Sequence, residues 1–235
     1  GSLLRHYVAQ GIPVLGVDPA EGPAKAAIAA GVPTLCEFFT EEFASELALR
    51  HGQADVIHAN NVLAHVSDTN GFVRGVGRML KPDGVAVIEM PYVRDLIEHV
   101  EFDTIYHEHL CYFSLHSLDA LFWRNGLFVN RVERLAIHGG SLRIFVQSIE
   151  DCDPSIEDML AEEIEIGIER AEYFATFSSR VDALRDRLVT MIADLKVQGK
   201  SIAAYGAAAK GATLLNFCGL DTRQIIDGVC LDPRI

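Results

Sequence analysis

Tyr106, His107, Glu108 and His109 form the densest run of titratable side chains in this 235-residue chain. An imidazole titrates near neutrality, and a neighbouring partner sets which ring nitrogen carries the proton, so this grouping suits proton transfer. Two histidines two residues apart alternate faces of a strand or loop, whereas one metal needs both on one face, as in the i, i+4 pair of a helical site. No zinc site is therefore expected. The same stretch also reads as a hydrogen-bonded aromatic loop without chemistry. His65 follows a strand that carries Asn60 and Asn61, which predicts a place at the carboxyl edge of a sheet, where open α/β folds bind ligands. His138-Gly-Gly-Ser141 reads as a flexible turn between two strands and as a possible substrate contact.

Two further features point to anionic or ribose-bearing ligands. Asp18 ends a short apolar run and is followed by Pro19, the position at which Rossmann-type proteins keep a carboxylate for ribose hydroxyls; a helix N-cap is the alternative. Tyr205 leads into Gly206-x-Ala208-x-x-Gly211, a relaxed dinucleotide fingerprint with Asp232 about 20 residues further on. Backbone N–H groups of such a turn can face an anion, with Lys210 beside them to pair with phosphate. A close strand-to-helix packing turn is the other reading. Neither a P-loop nor a G-x-S-x-G elbow occurs.

The elements that must position these residues alternate between short apolar runs and helical patterns. Residues 12–18 read as a strand, residues 20–30 as an alanine-rich helix and residues 32–35 as a second strand. A helix over 41–51 and a buried strand over 54–61 follow. The next helix runs from Asp68 to Leu80, stopped by Lys81-Pro-Asp-Gly84, and the next strand covers 84–90. Near-continuous apolar strands separated by helices predict a parallel sheet covered on both faces, a doubly wound α/β domain. After the histidine-rich stretch come a helix over 115–125 and strands over 128–136 and 141–147, the last two as an antiparallel hairpin at a sheet edge. Residues 155–198 have helical spacing, with a break expected near Ser178 and Ser179 and a packing and linking role. A strand over 201–205, a turn over 206–211 and a helix over 212–218 closed by Gly219 begin a second βαβ unit.

Composition bounds the function. Apolar residues make up 49% and charged residues 23%, values of a folded globular chain rather than a disordered one. With 33 acidic against 20 basic residues the net charge is −13, which opposes non-specific binding to nucleic acid or an anionic membrane. The five cysteines are scattered and never form a CxxC pair, which predicts reduced thiols and a cytoplasmic setting. No apolar run approaches a membrane span, and no signal segment opens the chain. Both ends read as cut inside a structural unit, and Gly1-Ser2 resembles a cloning scar.

Several motifs together resemble the S-adenosylmethionine-dependent C-methyltransferases of deoxysugar biosynthesis. They are Asp18 after its strand, Asn60-Asn-Val-Leu-Ala-His65, Leu80-Lys-Pro-Asp-Gly84, Glu89-Met-Pro-Tyr92, Tyr106-His-Glu-His109 with Tyr112-Phe-Ser114, His138-Gly-Gly-Ser-Leu-Arg143 and Tyr205-Gly-Ala-Ala-Ala-Lys-Gly211. The resemblance covers essentially the whole chain. It implies a Rossmann-like class I methyltransferase domain over 1–150 without its first strand, a helical linker over 151–199 and a partial sugar-nucleotide domain over 200–235. The implied reaction is methyl transfer to the carbon beside the ketone of a nucleotide-linked 4-keto-deoxysugar, with base-assisted enolate formation. By resemblance His109 is the base, Tyr106 and Glu108 position sugar and imidazole, and His65 donates to the enolate oxygen. Asp18 would hold the cofactor ribose, Asn60 or Asn61 its methionine end, and Lys210 with Tyr205, Gly206 and His138 the sugar nucleotide. The family's amino-terminal cysteine-rich zinc domain and glycine-rich first cofactor motif are not in these residues. A catalytically inactive nucleotide-binding module and a nicotinamide-dependent oxidoreductase are the alternative readings.

Overall fold

A computed structural model describes residues 2–205, 209–221 and 229–230. The amino-terminal helix α1 (Leu4–Ala9) precedes β1 (Gly16–Val17), α2 (Glu21–Ala29) and β2 (Thr34–Leu35). The two strands pair in parallel, Gly16 with Thr34 and Val17 with Leu35, as a βαβ unit. Both are shorter than the apolar runs that contain them, since each run pairs over only two residues.

Thr40 caps α3 (Glu41–His51) by accepting the N–H of Phe43, and β3 (Ala54–Asn60) follows. Then come α4 (Thr69–Met79), β4 (Leu80–Pro91), α5 (Val93–His99), α6 (Leu115–Trp123), β5 (Phe128–Leu135) and β6 (Ser141–Gln147). Strand order in the main sheet is β3-β4-β6-β5, with β3 parallel to β4 and the other pairs antiparallel. The predicted hairpin is there, and β5 is its edge strand. Among the described residues β3 is the other edge, so the strand expected to be buried keeps only Ala59 fully inside.

Lys81-Pro-Asp-Gly84 interrupts β4 rather than preceding it. Leu80 pairs with Ala54 and Val85 with Val56, so residues 81–84 loop out of the ladder. Lys81 Nζ meets Asp55 Oδ1 at 2.7 Å, and a Cβ at Gly84 would lie 3.0 Å from the carbonyl oxygens of Ala54 and Asp55. That close approach of two backbones requires glycine.

The two faces of the main sheet differ because side chains alternate along each strand. One face carries Ala59, Ile88, Met90, Val132, Leu142, Ile144 and Val146, packed against Phe72 and Val76 of α4 and Leu118 and Phe122 of α6. On the other face Asn60, Glu89, Arg143 and Glu133 stand directly across from one another, a polar row spanning all four strands. Arg143 bridges Glu89 at 3.0 Å and Glu133 at 3.4 Å. A second apolar cluster around Ala44, Leu47 and Met79 gathers Val17 and Leu35 with Ala54 and Ile57, which sets the small sheet beside the large one.

Beyond the sheet, helices α7 (Pro154–Ile166), α8 (Ala171–Phe174) and α9 (Phe177–Val197) occupy the stretch predicted to be helical. The predicted break lies just ahead of Ser178 and Ser179, and an additional one precedes it. Gly167 ends α7 with φ +72°, a left-handed conformation that suits glycine, and a second interruption lies at Ala175 and Thr176. Ser179 is absorbed into the first turn of α9 by donating its hydroxyl to the Thr176 carbonyl at 2.9 Å. Helix α7 is more than a linker: Ile156, Met159 and Leu160 join the core of the main sheet.

The carboxy-terminal part holds β7 (Ala204–Tyr205) parallel to β8 (Val229–Cys230) and helix α10 (Ala209–Cys218). The strand expected over 201–205 pairs only at its last two residues. Helix α10 packs against a single 3-10 turn at Phe102–Thr104, where the rings of Phe217 and Phe102 are 4.8 Å apart. Cys36, Cys111, Cys152 and Cys218 are free thiols. Among the described residues, no helix is long and apolar enough to cross a membrane.

Candidate active site

The histidine cluster is built on two irregular segments that lock together. After β3, Asn61 takes a left-handed conformation (φ +54°) and donates its N–H to the Glu89 carbonyl at 2.7 Å. The chain turns through a 3-10 segment, Leu63–His65, whose Ala64 carbonyl accepts the N–H of Leu110 at 2.8 Å. This brings residues 106–111 over the carboxyl end of β3. His65 and His109 then meet edge to face, with ring centroids 4.8 Å apart.

Hydrogen-bond partners fix the tautomers. His109 Nδ1 lies 3.0 Å from the Thr104 carbonyl oxygen, which can only accept, so Nδ1 carries the proton. In the neutral ring Nε2 then has a lone pair, and it accepts the phenol of Tyr106 at 2.9 Å. Burial, followed by the positive charge of a protonated His65, holds the His109 imidazole below its ordinary range, which favours that neutral form. Lys210 acts in the same direction, while the Thr104 carbonyl and Glu108 oppose it. Burial raises the Tyr106 phenol, with the Glu108 charge adding to it, so it stays a donor. The Tyr112 phenol is also raised by burial and lies with its ring 6.1 Å from His109.

His65 is oriented in the same manner, Nδ1 facing the Glu108 carbonyl oxygen at 2.9 Å. Its Nε2 is therefore an acceptor in the neutral ring and a donor only in the imidazolium. Glu108 enters this geometry through its backbone, and its exposed carboxylate makes no bond to His109. Thr104 does the orienting that was expected of Glu108. Residue type gave no signal for this, because the acceptor is a main-chain carbonyl.

His138 also has positive φ (+54°), at the head of the turn with Gly139 and Gly140. Gly140 packs on the carboxylate of Asp95 and Gly139 on that of Glu101 so closely that a Cβ at either would overlap a carboxyl group. Asp95, buried, pairs with Arg134. Both glycines of the turn are therefore required by this packing. Lys210 Nζ reaches the His138 carbonyl at 3.4 Å from the first turn of α10. Lys210 was expected in a turn and lies on a helix, yet the structure brings it to His138 and into electrostatic reach of His109. Gly206, Ala208 and Asp232 lie outside the described residues.

Asp18 sits apart from the histidines, just past β1. Its Oδ1 accepts the Ala20 N–H at 2.9 Å, a local turn rather than a helix cap, since Ala20 is itself the residue preceding α2. Asn60 Nδ2 reaches the buried Glu89 carboxylate at 3.4 Å. Among the described residues no group of three or more metal-ligating side chains is gathered.

Comparison with known proteins follows the same outline. A methyltransferase-domain family matches residues 1–131, and a C-methyltransferase C-terminal domain family matches residues 136–232. The C-methyltransferase NovU of Streptomyces niveus is 37% identical over 228 residues, 96% of this chain. The chain spans about half the length of that curated relative, 54% of it. Two solved structures share the fold at low identity. The PH0226 protein of Pyrococcus horikoshii has a TM-score of 0.50 at 15% identity, covering 63% of this chain and 76% of that one. A putative methyltransferase solved in complex with the Haloferax volcanii Trm112 activator has a TM-score of 0.51 at 16% identity, covering 63% and 79%.

Proposed function

The chain belongs to the methyltransferase family, whose methyl donor is S-adenosylmethionine, and on that premise we propose that it methylates carbon. The acceptor in this reading is the carbon beside the ketone of a nucleotide-linked 4-keto-deoxysugar. One observation carries it: the hydrogen-bonded series from the Thr104 carbonyl through His109 to the Tyr106 phenol, placed at the carboxyl end of β3 beside His65.

A carbon next to a ketone becomes nucleophilic only after losing a proton, and the Tyr106–His109 pair supplies the base. The carbon's proton passes to the Tyr106 oxygen as the phenol's own proton moves to His109 Nε2, giving an imidazolium whose Nδ1–H remains on the Thr104 carbonyl. Negative charge on the enolate oxygen is met by His65 when its ring is protonated. The enolate carbon then forms its new bond to the methyl group. When bound, S-adenosylmethionine supplies that methyl as an electrophile and leaves as a neutral thioether.

The residues at the strand ends fit such a cofactor. Asp18 uses one carboxylate oxygen on Ala20, and the other has no partner among the described residues, so it can accept a ribose hydroxyl. Asn60 and Asn61 stand at the end of β3 for the methionine end. Lys210, with the His138 turn, is assigned to the diphosphate of the sugar nucleotide, together with Tyr205 and Gly206 of the same sequence motif. The C-methyltransferase name of the Streptomyces niveus relative supports carbon as the acceptor atom.

Exchange of the carbon-bound proton isolates the base step without any methyl donor. The chain, incubated in deuterium oxide with a thymidine diphosphate-linked 4-keto-deoxysugar, should wash deuterium into the position beside the ketone, read by mass spectrometry. Adding S-adenosylmethionine should convert that product to one heavier by a methyl group. Exchange no faster than in buffer, together with no methyl product, overturns the reading.

A further inference from the structure

Glu163 of α7 is completely buried, and its carboxylate is engaged by three donors from two other parts of the chain. Oε1 accepts the Tyr92 phenol at 2.8 Å and the Leu115 backbone N–H at 2.7 Å, and Oε2 accepts the His116 N–H at 2.8 Å. Leu115 and His116 open α6, so the carboxylate occupies the N–H groups that a helix start leaves unsatisfied. This departs from the local cap at the same helix, where Ser114 and Ser117 bond reciprocally. A helix start that already has its own capping box is tied in addition to a helix 48 residues away.

The three partners bracket the reactive loop. Tyr92 follows directly on β4, donates its N–H to the Gly140 carbonyl of the His138 turn at 3.1 Å, and bridges to Phe113. Val93 donates to the Phe113 carbonyl at 2.9 Å. Leu115 and His116 follow directly on residues 106–114. The loop that carries Tyr106 and His109 is thus pinned just past His109 by Ala64, at Leu110 and Cys111, and again at its exit by Glu163.

We propose that Glu163 is a positioning residue for the Tyr106–His109 pair, a role that rests on the proposed function of that pair. An error of about 1 Å in such a pair is enough to cost on the order of a hundredfold in rate. A glutamine at this position keeps the volume but turns an N–H₂ group toward N–H donors, which leaves a buried polar group unsatisfied.

The test reads His109 directly and needs no turnover. Titration of the histidine ring protons by NMR, with His109 assigned from a His109→Gln variant, is followed in the wild-type chain and in Glu163→Gln. The wild-type midpoint is expected below 6.5, and the variant's should rise toward that ordinary value as the loop loosens and admits water. A folded Glu163→Gln chain with an unchanged His109 midpoint overturns the proposal, leaving only a packing role that lowers the thermal midpoint. Should Glu163→Gln fail to fold, Tyr92→Phe, which removes one hydroxyl, decides by the same measurement. Failure of the wild-type exchange assay would instead overturn the function while leaving this result standing.

Discussion

The phenol of Tyr106 and Nε2 of His109 are 2.9 Å apart, and the Thr104 carbonyl behind the ring dictates which of the two holds the proton. Tyr106 donates and His109 accepts. The phenol oxygen is therefore the atom that meets the carbon's proton, with His109 behind it to take the phenol's own, a relay aligned before substrate arrives.

Replacing His109 with glutamine should lower deuterium exchange and methyl transfer by about 10² to 10⁴-fold, the usual contribution of a positioned base. Affinity for adenosylhomocysteine should change little, because Asp18 lies on a different strand end. Isothermal titration checks it; loss of binding would put His109 in the cofactor site.

The pH dependence has a definite sign. Burial holds the His109 imidazole below its ordinary value of 6.5, so the neutral ring persists to lower pH than in a free histidine. The acid limb of kcat/KM should accordingly have its midpoint below 6.5, with activity falling as pH drops through it. A limb centred above 6.5 would assign the base to another group.

Asp18→Ala should weaken adenosylhomocysteine binding by roughly tenfold, the worth of a hydrogen bond to a charged group. The thermal shift that ligand produces in the wild type should shrink in the variant, while the unliganded midpoint stays close to its original value. An equal shift in both proteins would free Asp18 of any cofactor role.

Gly140→Ala places a methyl group against the Asp95 carboxylate at a φ of +130°, a conformation that side chains rarely adopt. Destabilisation of about 2 kcal/mol or more is expected in urea unfolding. Gly22→Ala, at an open position on α2, is the control and should be near neutral or slightly stabilising.

Lys210→Ala should raise KM for the sugar nucleotide while kcat at saturation stays within about threefold of wild type, since removing binding that ground and transition states share leaves kcat alone. Its effect should fade at high salt, as expected for a partly exposed cation facing a phosphate. A fall in kcat with unchanged KM would place Lys210 at the reacting centre instead.

Much of this chain is legible from local pattern. The period-two apolar residues of Leu142, Ile144 and Val146 announce a strand with one buried face, and the turn before them needs glycine. Thr40 and Asp68 mark helix starts by their side-chain oxygens, as capping rules require. Tyr106, His109 and His65 stand out by residue type, and Asp18 by its place after a strand. Such features depend on neighbours within a few residues, so they survive in a one-dimensional reading.

Relations that cross the fold are different. That Thr104 presents its carbonyl to His109, that Glu108 serves His65 through its backbone, and that Glu163 reaches α6 are consequences of how distant segments pack. Main-chain carbonyls look alike at every position of a sequence, and a glutamate in an amphipathic helix reads as a solvated charge until its neighbours enclose it. The sequence by itself determined the strand-helix alternation and the residue types available for proton transfer. Only the tertiary structure decided which nitrogen holds the proton and what holds the loop, because tautomer and position depend on partners separated along the chain and brought together by packing.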